Sequence, residues 1–85
     1  MILKVYTVYD TKAEAYLQPF FSQSKGVAIR SFQEAVRDEK SNISKYPEDF
    51  TLFELGEYDD STSKFNLHIT PQSLGVAVEF LTPKG

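Results

Sequence analysis

Nine side chains in the first half of this sequence have the types and spacing that recognise single-stranded nucleic acid: Lys4, Tyr6, Tyr9, Lys12, Tyr16, Phe21, Lys25, Arg30 and Arg37. Flat rings stack on bases while interleaved cations follow the phosphates, each stack being worth about 1–3 kcal/mol. A plainer reading makes the rings strand and core residues and has Lys4 solvate a sheet edge. Arg30, Glu34 and Arg37 share one helical face, where Glu34 can pair with both arginines and blunt their pull on phosphate. On composition alone, a protein-interaction role ranks ahead of nucleic-acid binding.

Catalytic chemistry has little to build on. His68 is the only histidine, and no nucleophile motif accompanies it. Its alternation with Phe65, Leu67 and Ile69 places it on the less apolar face of a strand, as a surface residue rather than a base. Glu54, Glu57, Asp59 and Asp60 are oxygen donors suited to a hard cation, but their spacing lacks an EF-hand pattern. Asx-type hydrogen bonding in a turn accounts for the same residues. The glycines are isolated, so no phosphate-cradling loop exists. With no cysteine there is neither a disulfide nor a thiolate metal site. No catalytic residue, metal or cofactor is expected.

The elements that position these side chains follow from pattern. Residues 2–10 (ILKVYTVYD) mix β-branched and aromatic residues at odd and even positions, as in a central strand covered on both faces. Residues 11–24 predict a helical turn and then a loop, because Pro19 forbids a helix through it. At least one ring of the Phe20–Phe21 pair must cover a core edge or an interface. Residues 26–39 form the clearest helix, with Ala28, Ile29, Phe32, Ala35 and Val36 on one stripe and Ser24 as N-cap. A rival reading starts the helix at Ser31, with Glu34 completing a capping box. Residues 40–49 are a polar connection. Residues 50–58 and 64–70 read as a hairpin closed by DDSTS (59–63). Beyond it, Thr70 and Pro71 look like the start of a second helix bearing Leu74, Ala77, Val78 and Leu81. A strand over 76–81 is the alternative.

Eighty-five residues allow one domain, 1–85. The expected fold is α+β, a small sheet of three or four strands packed on one main helix in the order β-α-β-β-α. A small OB-like β-barrel is the alternative. The net charge of −3 speaks against indiscriminate polyanion binding. It is unevenly spread, however. Residues 1–45 carry seven basic and five acidic side chains, and residues 46–85 carry two and seven. A nucleic-acid face therefore belongs to the first half. Neither a targeting segment nor an apolar run of ~20 residues is visible, so a soluble intracellular protein is expected, with no membrane contact.

Three stretches carry a family resemblance: YDTKAEAYLQPFF (9–21), GVAIRSFQEAV (26–36) and, most specifically, YPEDFTLFELGEYDDSTSKFNLH (46–68). They resemble the small nonstructural protein of gokushovirus-type microviruses, bacteriophages with circular single-stranded DNA genomes. The resemblance implies a non-enzymatic DNA-binding protein in the host bacterial cytoplasm, acting where DNA replication passes to single-strand synthesis and packaging. The nine side chains above would then bind single-stranded DNA weakly and in a salt-sensitive way. A homodimer pairing through hydrophobic surface, and joining the two basic halves in one groove, would reconcile that role with the acidic pI. The alternative is an adaptor for host or viral replication proteins that never touches DNA, with Asp59–Asp60 as its docking surface.

Overall fold

A computed structural model describes residues 1–81. Strand β1 (Ile2–Asp10) is central, as its two-sided apolar pattern requires, with Val5, Tyr6, Thr7 and Val8 all buried. One edge pairs antiparallel with β2 (Ala15–Tyr16) and β3 (Phe20–Ser22); the other pairs antiparallel with β4 (Phe50–Asp59). Strand β5 (Lys64–Val76) pairs with β4 on the outside. The expected helical turn in 11–24 is therefore replaced by a return strand. Asp10 Oδ1 accepts from the Lys12 and Ala13 amides, which closes a tight turn with Glu14 at φ 55°. The Leu17 amide donates to the Val8 carbonyl at 2.7 Å, and Pro19 separates the two short strands.

Helix α1 (Lys25–Arg37) is continuous through Ser31, which settles its boundaries against the capping-box reading. Ser24 Oγ accepts from the Val27 amide, and Ala28, Phe32 and Val36 recur at four-residue spacing on the buried stripe. They pack on Tyr6, Val8, Phe50 and Leu52 of the sheet, with Phe20, Ile43, Leu74 and Phe80 closing the edges. Short helix α2 (Asn42–Lys45) and a 3-10 turn over Pro47–Asp49 fill the polar connection.

The α+β expectation is overturned. Strands take 46% of the described residues against 30% helical, and the antiparallel sheet curls into a half-barrel, closer to the β-barrel alternative. The order is β-β-β-α-α-β-β. The second helix is absent because β5 runs on to Val76, followed only by a 3-10 turn over Ala77–Phe80. Gly75 sits at φ 139°, which is incompatible with an α-helix, and β-branched Val76 favours extended backbone, while Pro71 is tolerated because β5 is an edge strand. The bends have local causes. Leu55 is an extra residue against β1, and 68–71 have no Cα partner on β4 between Gly56↔Leu67 and Glu54↔Gln72.

Candidate nucleic-acid interface

Register divides the side chains into two faces, because successive residues point oppositely and cross-strand partners point alike. Tyr6, Val8, Leu52 and Glu54 lie under α1. The other face gathers Leu3, Val5, Thr7 and Tyr9 of β1 with their partners Tyr58, Gly56, Phe53 and Thr51. Tyr16 joins it opposite Tyr9, Phe21 opposite Val5, and Phe65 opposite Tyr58. No Lys, Arg, Asp or Glu stands at these positions.

Six rings on this face form two clusters. Tyr9 and Tyr16 have centroids 4.7 Å apart, with Phe53 5.8 Å from Tyr16. Phe21, Tyr58 and Phe65 make the second cluster at 4.7–6.3 Å. The clusters adjoin, with Phe53 opposite Thr7 and Phe21 opposite Val5 only two residues apart on β1, and together they run from the Leu3 to the Tyr9 position, about 20 Å of strand. Tyr16 is 51% exposed and Phe21 47%. The lysines nearest these rings in sequence lie off the face: Lys12 lines a pocket with Asn42, Tyr46 and Phe50, Lys25 opens α1 on the far side of the sheet, and Lys64 stands opposite Asp59.

The nine expected contacts are thus not one surface. Tyr9, Tyr16 and Phe21 are brought to the aromatic face, whereas Lys12 lies beside α2 and Lys25 opens α1 on the other side of the sheet. Tyr6 is not available for stacking, because it is fully buried under α1 and stacks on Phe20 at 5.7 Å. Lys4 Nζ donates to Glu57 Oε2 at 2.7 Å, an ion pair that offsets its charge and raises its pKa, the hydrogen bond being the larger cause. Arg30 and Arg37 are exposed on α1, across the sheet from the rings. Among the described residues neither is within ion-pair distance of Glu34, so the expected bridging carboxylate leaves them open to solvent. Phe53, Tyr58 and Phe65 were missed because they lie in the acidic half. Their alternation was visible, but only register shows that they share a face with Tyr9, Tyr16 and Phe21.

The carboxylates separate in the same way. Glu57 pairs with Lys4. Asp59 Oδ1 accepts from the Ser61 amide at 2.9 Å and hydroxyl at 2.6 Å, a turn-closing arrangement that lowers its pKa through the hydroxyl bond first. Asp60 binds the terminal ammonium at 2.8 Å. Buried Glu54 meets His68 Nε2 at 2.7 Å. His68 is therefore a half-buried partner that ties the irregular part of β5 to the core, which corrects its placement as a free surface residue.

Beside Glu54, the Tyr6 hydroxyl is buried with no hydrogen-bond partner among the described residues. Burial, and secondly the Glu54 charge, push its pKa up to about 12. The unfolded chain loses this proton near pH 10, so the contribution is intact below about pH 10 and is lost as pH climbs to about 12, by about 3 kcal/mol at most. Tyr6→Phe is expected to match or exceed the parent at neutral pH by up to ~1 kcal/mol, and to lose less stability in alkali. Denaturation near pH 8 and near pH 11 checks this. An equal alkaline loss in both proteins would show that Tyr6 is not its source.

Comparison with known proteins matches residues 3–80 to the family described as Phage ORF5 protein. Protein ORF5 of Chlamydia phage 1 is 39% identical over 64 residues, covering 71% of this chain and 67% of that protein. The resemblance read from the sequence is thereby borne out. No solved structure matches.

Proposed function

From a chain that belongs to the Phage ORF5 protein family, we propose a non-enzymatic nonstructural protein that binds single-stranded DNA in the host cytoplasm, where replication passes to single-strand synthesis and packaging. The observation that supports this is the sheet face with six rings in two clusters. Stacking needs no sequence readout, and two adjoining clusters that together span about 20 Å of strand suit several nucleotides. Tyr16, Phe21 and Phe65 supply the accessible rings, with Tyr9, Phe53 and Tyr58 behind them. Exposed Lys12, Lys25 and Lys64, each within four residues of one of these rings in sequence, would contact phosphates where the strand leaves the face.

Fluorescence anisotropy with a labelled oligothymidine, repeated over a range of salt, tests the reading. Three lysine contacts predict a log–log salt slope of about −2, shallow because the face itself is uncharged. Tyr16→Leu with Phe21→Leu keeps apolar bulk but removes two flat rings, and affinity is expected to fall at least tenfold. Binding unchanged in that variant would reject the aromatic face. The uncharged centre of the face also suits a protein partner, so an adaptor in replication is the second reading. No measurable oligonucleotide binding at low salt would favour it.

A further inference from the structure

We infer that a second copy of this chain docks along β5, through Phe65, Leu67 and Ile69, about a two-fold axis passing Leu67. The outer edge of β5 is unpaired among the described residues, and 68–71 lack partners on β4 as well. His68 is turned inward to Glu54, so alternation sends Ile69 the opposite way. Ile69 is 103% exposed, beside Leu67 at 56% and Phe65 at 55%. Edge strands are ordinarily protected by charges or proline, yet between Lys64 and Pro71 there is no charged Lys, Arg, Asp or Glu and no proline.

The occupant follows from the pattern of residues 64–70, KFNLHIT, which reads polar, apolar, polar, apolar, polar, apolar, polar in both directions. An antiparallel pairing centred on Leu67 sets Phe65 against the partner's Ile69 and Lys64 against the partner's Thr70. No like charges oppose one another. Aromatic and β-branched pairs of this kind are favourable in sheets. Isologous contacts require such self-complementarity, whereas a different protein would not. The exposed parts of the three apolar side chains amount to roughly 400 Å² per copy. Strand pairing covers only the facing flanks of these side chains, so the interface is a small one, below about 1,200 Å² in total, of the size of weak associations. A polyanion is disfavoured here, since only Lys64 borders the seam. The pairing would place two aromatic faces side by side instead of joining two basic halves.

Sedimentation equilibrium without nucleic acid tests this independently of DNA binding. Over roughly 1–200 µM, the range where a modest interface associates, the parent is expected to pass from 9.7 kDa to twice that mass. Leu67→Lys with Ile69→Lys should remain monomeric at the top of the range. A parent that stays monomeric, or a dimer unaffected by the two lysines, overturns the proposal. Because the chain has no cysteine, Leu67→Cys gives a second measurement that preserves the seam. It should oxidise to a covalent dimer at low concentration, while Arg30→Cys on the helix should not. Equal, slow cross-linking of both variants would equally overturn the dimer.

Discussion

Gly56→Ala is expected to cost at least ~3 kcal/mol and to lower the melting temperature by roughly 15 °C or more. Gly56 stands at φ 148°, where side chains are strained, and a Cβ there would lie 2.4 Å from the Asn66 carbonyl oxygen and 2.7 Å from the Leu67 Cα. Both contacts are with backbone, so no side-chain rotation relieves them. The alternative is to separate β4 from β5, which gives up the pairing that carries Phe65 and Leu67. For a domain of this size, whose total stability is about 4–13 kcal/mol, that is a large fraction. Thermal denaturation followed by circular dichroism measures the effect. A melting temperature within a few degrees of the parent would mean that the close approach of the two strands is absent.

Phe32→Ala is expected to cost about 3–5 kcal/mol. Phe32 is buried in the middle of the α1 stripe and meets Phe80 edge-on, with centroids 5.5 Å apart. The cavity would open between α1, the sheet and the terminal 3-10 turn, with too few other elements to collapse into it. Urea denaturation should show a midpoint lowered by about 2 M or more. Phe32→Leu, which fills most of the space, should recover over half of the loss. If alanine and leucine behave alike, the packing of Phe80 on Phe32 is not what anchors the C-terminal segment.

The two variants also separate stability from the proposed surface. Phe32 lies on the opposite side of the sheet from Tyr16 and Phe21, so its loss should weaken oligonucleotide binding only in proportion to the unfolded fraction. Gly56 lies on the aromatic face, between the strands that bring Tyr58 and Phe65 together.

The sequence by itself determined the central strand, helix α1 with its Ser24 cap, the 59–63 turn and the family, because each rests on local pattern: two-sided apolarity, a four-residue stripe, clustered turn formers and long continuous similarity. It also held the rings and cations of the candidate interface. Tertiary structure alone decided which of them meet. Tyr6 and Tyr9 are both tyrosines of one strand, yet the pleat buries the first under α1 and turns the second to the aromatic face. Lys4 is silenced by Glu57, fifty-three residues away. The stretch from Thr70 to Val76 carried helical signals, but pairing with β4 and the conformation at Gly75 outweighed them. Propensity acts over a few residues, whereas register and charge pairing depend on strands distant in the chain, and these set what each face presents.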